Sequence, residues 1–94
     1  MMKVTWTLVA IERLESIHDF IAETSSDRAD KVHERLLVAA DQLKSHPLSG
    51  PVLPEDGAYR QLVVDGYRIV YRVSEDAVFV NTVIGPGMEY EHAI

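Results

Sequence analysis

The spacing of hydrophobic residues changes within the first 23 positions of the chain. Alternate residues are apolar at the start, which is the period of a β-strand with one buried face. These residues are Val4, Trp6, Leu8 and Ala10. The pattern predicts an opening strand of about six residues, followed by an amphipathic helix that ends near Glu23. The apolar stripe of this helix comprises Ile11, Leu14, Ile17, His18, Phe20 and Ile21.

A second amphipathic helix is predicted to start at Thr24-Ser25-Ser26-Asp27, because side chains of these types cap helix N-termini. The residue before Pro47 disfavours helical dihedral angles, so this helix should end around Ser45. Two helices joined by so short a connection form an antiparallel hairpin. The stripe of the second helix comprises Ala29, Val32, Leu36, Ala39, Ala40 and Leu43.

A β-hairpin is predicted around Asp65-Gly66, because two runs of β-branched and aromatic residues flank a dipeptide that accepts the positive φ angles of a type I′ turn. Val64 then pairs with Tyr67, and the register continues to the pair Tyr59 and Arg72. Side chains alternate between two faces. The predicted core face carries Arg60, Leu62, Val64, Tyr67, Ile69, Tyr71 and Val73. The second face, which we expect to be open, carries Tyr59, Gln61, Val63, Arg68, Val70 and Arg72.

One more strand, Ala77 to Ile84, follows the hairpin. The predicted order is therefore strand, helix, helix, strand, strand, strand. Neither helix can bury its stripe alone, so we expect an α+β fold in two layers, with the helical hairpin packed on a small, mainly antiparallel sheet. Residues 1–94 are expected to form a single domain. The acidic tail, residues 85–94, is expected to become ordered only with a partner.

The composition excludes several classes of protein. Cysteine is absent, which excludes disulfides and thiolate metal sites, and we expect neither a metal nor a cofactor. No apolar run approaches the roughly 20 residues that cross a bilayer, and the N-terminus lacks the features of a signal peptide, which favours a cytoplasmic location without membrane contact. The formal net charge of −6 argues against autonomous nucleic-acid binding, since affinity for phosphate backbones comes from clustered Lys and Arg.

Basic charge is nevertheless concentrated on the predicted hairpin. Residues 58–74 contain three arginines and one acidic residue. Arg60 is expected to have a structural role, because its stem can cover apolar surface on the core face. A half-apolar exposed sheet face often marks an interface. The candidate contact residues on that face are Arg68, Arg72, Tyr59, Val63 and Val70.

Motifs of several common enzymes are incomplete. His33-Glu34 begins like the zinc-protease motif, but Leu37 stands where the second histidine is required. The carboxylates of the first helix follow helical spacing, which indicates a solvated polar face.

The chain resembles the RelE/ParE superfamily of toxins from type II toxin–antitoxin modules, and more closely its ParE-like members. The resemblance extends along the whole chain and includes the first-helix pattern from Ala10 to Ile21 and a Pro-x-x-Gly loop at Pro47 to Gly50. Its most specific part is Arg60-x-Leu62 followed by Gly66-Tyr67-Arg68-Ile69-x-Tyr71. The resemblance implies the β-α-α-β-β-β fold of this superfamily and a cognate antitoxin as partner. It also implies roles in plasmid stabilisation and stress response.

The resemblance leaves three functions open. A ParE-like toxin is implied to bind a protein target, DNA gyrase. A RelE-like toxin is implied to cleave mRNA on the ribosome, and the matching residues are Arg68, Arg60 and Tyr90. RelE-like toxins carry two lysines on this strand; Arg60 lies near the position of the first, and Leu62 stands at the second. No Lys or Arg follows Arg72 either. Both differences favour the ParE-like interpretation. The third possibility is an attenuated toxin that binds its antitoxin and regulates its own operator, which it reaches only through the antitoxin.

Overall fold

A computed structural model describes residues 1–90, which form two helices on one side of a four-stranded sheet. The strand order is β1-β4-β3-β2, with β1 parallel to β4 and the other neighbours antiparallel. This arrangement confirms the predicted two-layer α+β fold. The elements are β1 (Lys3–Trp6), α1 (Leu8–Ala22), α2 (Ser26–Asp41), a 3₁₀ turn (Gln42–Lys44), β2 (Arg60–Val64), β3 (Tyr67–Val73) and β4 (Ala77–Ile84).

The first strand is shorter than predicted, because Thr7 ends it and caps α1. The Thr7 backbone is extended, and its Oγ1 accepts a hydrogen bond from the Ala10 N–H at 3.2 Å. The same hydroxyl donates to the Asn81 carbonyl oxygen at 3.0 Å. A threonine that satisfies an otherwise unpaired N–H favours helix initiation at this position. The alternation of apolar residues past Trp6 was therefore a misleading signal.

The buried face of α1 also differs from the predicted stripe. Ala10, Leu14 and Ile21 are buried, with Ile17 partly buried between them. Ile11 and Phe20 are 40% and 75% exposed, so their assignment to the core was wrong. The spacing of the buried residues matches one helical face, and Ile11 and Phe20 fall on either side of it. The predicted stripe of α2 is confirmed: Ala29, Val32, Leu36 and Ala40 are buried, as is Leu43 in the 3₁₀ turn.

The β2–β3 hairpin has the predicted register. Asp65 and Gly66 occupy its turn with φ angles of 52° and 84°. The pairs run from Val64 with Tyr67 to Arg60 with Tyr71. The expected pair of Tyr59 with Arg72 is not part of the ladder. The Tyr59 carbonyl instead accepts a hydrogen bond from the Leu53 N–H at 2.8 Å.

An irregularity in β4 brings more apolar side chains toward the helices. Val70 pairs with Thr82, whereas the next residue, Tyr71, pairs with Val80, so Asn81 is an extra residue in the ladder. One extra residue reverses the alternation of faces along a strand. As a result Val80 and Val83 both pack in the cluster beneath α1 and α2, although an uninterrupted strand would point them to opposite faces.

The second face of the sheet is not open, which corrects the expectation for Val70. Its side chain is completely buried in a cluster with Leu53 and Ile84. Tyr59 and Tyr90 pack on this cluster from the outside. The loop before β2 and the segment after β4 therefore cover the face that the hairpin pattern alone leaves exposed. Residues 85–90 of the predicted tail are described, whereas residues 91–94 lie outside the described residues.

Candidate recognition surface

Arg68 lies on the outer face of the sheet, near the turn end of β3, and its guanidinium group is already engaged. Its Nε donates to Gln61 Oε1 at 2.6 Å, and its Nη2 donates to Glu55 Oε1 at 2.8 Å. Gln61 is on β2, where alternation places it on the same face as Arg68. The Arg68 side chain is 23% exposed. Arg68 is thus partly accessible, and its contacts fix the orientation of the guanidinium plane.

Glu55 reaches Arg68 from a compact turn formed by residues 53–59. The base of this turn is closed by the hydrogen bond from the Leu53 N–H to the Tyr59 carbonyl. Within the turn, the Asp56 N–H donates to the Leu53 carbonyl at 3.2 Å, and the Asp56 carboxylate accepts from the Ala58 N–H at 3.1 Å. The turn therefore holds its own shape and presents Glu55 to the sheet.

Tyr90 approaches the same turn from the C-terminal side. Its hydroxyl donates to Asp56 Oδ2 at 3.4 Å, and its ring packs against the buried cluster around Val70. Partial burial raises the pKa of the Tyr90 phenol, and the Asp56 carboxylate raises it further. A phenol in this environment is held in its neutral form.

Arg72 and Val63 form the exposed part of this face. The Arg72 guanidinium carbon lies 4.7 Å above the centroid of the Phe79 ring, on the neighbouring strand. This cation–π contact orients an exposed arginine over the face of an aromatic ring. Val63 is 66% exposed on the edge strand β2. Exposed arginine and aromatic groups of this kind are common at protein interfaces.

Arg60 lies on the opposite face of the hairpin from Arg68. Its Nη1 donates to the Gly50 carbonyl at 2.8 Å, and the Gly50 N–H donates to the Tyr71 hydroxyl at 3.0 Å. Burial raises the pKa of Tyr71, and the Gly50 N–H and the Arg60 charge oppose that rise. The side chain of Arg60 thus joins the 47–50 loop to the sheet.

A groove that the sequence did not indicate lies between α1 and the turn after β4. It has a volume of about 330 Å³ and an almost entirely apolar lining. Phe20, which was expected in the core, and Met88 both line the groove, and both are well exposed. Arg13 is its charged lining residue. The exposed Phe20 is the signal that could have identified this groove, had the buried face of α1 been placed correctly.

Polar contacts hold the helices to each other and to the hairpin. His18 Nε2 lies 2.8 Å from Asp30 Oδ1 across the helical hairpin, and the His18 ring meets His33 edge to face at 5.6 Å. The hydrogen bond to Asp30 raises the pKa of His18, with a further contribution from Asp19. Arg35 Nη1 donates to Asp65 Oδ2 at 2.8 Å.

Neither a metal site nor a membrane span is found within residues 1–90. No three acidic or histidine side chains in this range are close enough to hold a metal ion together. No helix in the same range is long and apolar enough to cross a bilayer.

The structure brings together most, but not all, of the residues expected at a functional site. The predicted contact residues share one face of the sheet, where Arg72 and Val63 are exposed, Arg68 and Tyr59 partly covered, and Val70 buried. Tyr90 joins this group through its contact with the Val70 cluster. Arg60, the remaining candidate for a nuclease site, is on the other face.

Known proteins share both the sequence pattern and the fold. The family model described as "ParE toxin of type II toxin-antitoxin system, parDE" matches residues 4–90. A curated relative from Sinorhizobium fredii, named "Putative toxin Y4kP", is 36% identical over 76 residues, which cover 79% of this chain and 78% of the relative. A solved structure, "Chromosomal ParDE TA system from P. aeruginosa", has the same fold, with a TM-score of 0.78 at 18% identity and coverage of 92% of this chain and 97% of that chain. The chain belongs to the ParE toxin family of type II toxin–antitoxin systems.

Proposed function

We propose that this protein is a toxin that acts in the cytoplasm by binding a protein target, DNA gyrase, and is neutralised by a cognate antitoxin. The observation that carries the proposal is the separation of the basic residues. Arg60 and Arg68 lie on opposite faces of one hairpin, and each is engaged by another group of the chain. This separation favours the ParE-like function over RNA cleavage.

A nuclease that uses the RNA 2′-hydroxyl needs basic groups converging on one phosphate. Arg60 cannot join Arg68 at such a phosphate without disrupting the hairpin. Tyr90 shares the face of Arg68, but its hydroxyl is directed to a carboxylate and its pKa is raised. Glu55 and Asp56 add negative charge beside both groups, which opposes the approach of a polyanion.

Arg72, Phe79 and Val63 supply the target-binding surface in this proposal. Arginine and aromatic side chains contribute disproportionately to protein interfaces, and the contact between Arg72 and Phe79 already orders both side chains. Ordering before binding reduces the entropy lost on association. A protein target also agrees with the net charge of −6, which disfavours direct binding to nucleic acid.

We assign the antitoxin to the groove between α1 and the turn after β4. Phe20 and Met88 expose apolar surface there, and a bound antitoxin segment would remove that surface from water. An antitoxin segment with apolar anchors, and an acidic residue opposite Arg13, would fit this lining. A module of this kind would serve plasmid stabilisation and stress response.

Induced expression in cells that lack the neighbouring antitoxin gene tests this proposal. Gyrase inhibition damages DNA, so we expect growth arrest with an SOS response while protein synthesis continues at first. Early arrest of translation, with cleaved mRNA that depends on Arg68, would instead support the RelE-like alternative. Normal growth at high expression would favour the attenuated toxin. Phe20→Ser, an exposed position, should keep the toxicity but weaken rescue by the antitoxin.

A further inference from the structure

The contacts of Arg68 have the form of an occupied binding site. A guanidinium group presents its N–H donors in a rigid plane that matches a carboxylate. Here the Arg68 Nε–H donates to the Gln61 amide oxygen at 2.6 Å, and the neighbouring Nη2 donates to the Glu55 carboxylate at 2.8 Å. Gln61 belongs to the sheet, whereas Glu55 belongs to the 53–59 turn. The site thus has one fixed contributor and one that is carried on a loop.

The 53–59 turn has the construction of a small lid. Its base is pinned, because Leu53 is buried in the sheet cluster and its N–H bonds to the Tyr59 carbonyl. Beyond the base, Glu55 is exposed and touches the sheet through Arg68, while Asp56 accepts a hydrogen bond from Tyr90. The lid can therefore tilt about Leu53 and Tyr59 without opening the core, provided that these outer contacts are exchanged for others.

The ion pair that closes the lid is easily exchanged. The side chains of Arg68 and Glu55 are 23% and 38% exposed. Ion pairs with this exposure contribute little to stability, because each group can be solvated when they separate. A carboxylate from another protein that takes the place of Glu55 would keep Arg68 paired. For Arg68 the exchange would therefore cost little electrostatic energy.

We propose that Arg68 and Gln61 form a carboxylate-binding site that Glu55 keeps occupied, and that the 53–59 turn opens when an acidic side chain of a protein partner replaces Glu55. The resident Glu55 identifies the chemistry that this site accepts. Asp56, 3.4 Å from the Tyr90 hydroxyl, places a second carboxylate close by, which disfavours a phosphate of nucleic acid. The identity of the partner, as the gyrase target or the antitoxin, rests on the proposed function. The existence of the carboxylate-binding site does not.

Anion titrations of the isolated protein test the site without either partner. Sodium acetate is the carboxylate probe and inorganic phosphate is the second arm, both at constant ionic strength, with the Arg68 Nε–H resonance as the readout. Removing an internal competitor raises the fraction of binding-competent protein. We expect Glu55→Gln to bind acetate about fivefold more tightly than the wild type, as estimated from the small energy of exposed ion pairs.

Glu75→Gln is the matched control, because it removes the same charge from an exposed glutamate that makes no ion pair within residues 1–90. Glu55→Asp keeps the charge but shortens the side chain by one methylene. It replaces Glu55→Gln in the titration if Glu55→Gln does not fold. Equal acetate affinity in the wild type and both Glu55 variants would contradict the proposal that Glu55 competes for the Arg68 site. Tighter binding of phosphate than of acetate would overturn the assignment to a carboxylate. Neither outcome depends on the supercoiling or growth results.

Discussion

Arg60 and Arg68 project from opposite faces of the β2–β3 hairpin, although both belong to the motif that the chain shares with RelE/ParE toxins. Arg60 binds the carbonyl of Gly50 on the helix side of the sheet. Arg68 binds Glu55 and Gln61 on the other side. The motif therefore combines a structural arginine with one that faces the candidate recognition surface, and the two predict different consequences of mutation.

Replacing Arg60 should reduce stability. Arg60→Ala removes both the apolar stem and the hydrogen bond to Gly50, and we expect a loss of about 1–2 kcal/mol in the free energy of unfolding. Arg60→Met retains most of the stem and should lose about 1 kcal/mol, the usual value of one hydrogen bond. Urea denaturation measures both. An Arg60→Ala variant as stable as the wild type, yet inactive, would contradict the structural role.

Gly50 should not tolerate a side chain. A Cβ atom at this position would lie 2.3 Å from the Gln61 carbonyl oxygen and 2.8 Å from the Tyr71 hydroxyl. The first obstacle is backbone of β2, and the second accepts a hydrogen bond from the Gly50 N–H, so Gly50→Ala should cost about 2–4 kcal/mol through displaced backbone and a weakened Tyr71 contact. Gly57→Ala is the control, since no atom lies within 4 Å of its added Cβ. Similar thermal midpoints for the two variants would disprove the close contact at Gly50.

Val70 and Val63 form a matched pair on the outer face of the sheet. Val70 is completely buried, so Val70→Ala leaves a cavity beneath Leu53 and should cost about 2 kcal/mol. Val63 is 66% exposed, and Val63→Ala should change stability by less than about 0.5 kcal/mol. Chemical denaturation distinguishes the two. If both substitutions are neutral, the 53–59 turn does not cover the sheet in solution.

Stability should depend on pH through the His18–Asp30 contact. The folded protein raises the pKa of His18 above 6.5, mainly through the hydrogen bond to Asp30. A raised pKa means that the folded state holds this proton more tightly than the unfolded state does. The stabilisation is therefore fully present below pH 6.5 and is lost as the pH rises through the folded-state pKa.

Denaturation curves on either side of pH 6.5, for the wild type and for His18→Gln, measure this contribution as the difference between the two proteins. Asp30→Asn should remove most of the same dependence, and Asp19→Asn much less, because Asp19 lies farther away at 3.8 Å. His33 faces His18 from α2, so the double variant with His33→Gln separates the two rings. If the stability of the wild type relative to His18→Gln increased with pH, the raised pKa of His18 would be contradicted.

Local signals in the sequence were sufficient for the hairpin and for α2. Asp65-Gly66 fixes the turn and hence the register of every pair in the β2–β3 ladder. The stripe of α2 is equally local, because its period and its cap at Ser25 lie within the helix or next to it. In both segments the determinants of structure are neighbours along the chain.

Contacts between distant segments could not be predicted in the same way. Val70 is covered by Leu53, which precedes β2, and by Tyr90, which follows β4. Because neither residue belongs to the hairpin, alternation alone assigned Val70 to an open face. The Glu55–Arg68 ion pair joins residues 13 positions apart through a loop whose path has no periodicity. Thr7 was missed for a different reason, because its capping role was obscured by apolar residues that continued the strand pattern.

DNA supercoiling by purified gyrase, with the purified toxin added, tests the central claim most directly. Arg72→Ala is the informative variant, because its exposed contact with Phe79 contributes little to folding, whereas loss of an interface arginine commonly costs about 2 kcal/mol or more of binding. We predict inhibition by the wild-type protein, and a concentration for half inhibition about 30-fold higher for Arg72→Ala. Undisturbed supercoiling at saturating wild-type toxin, together with mRNA cleavage in a translating extract, would contradict the account.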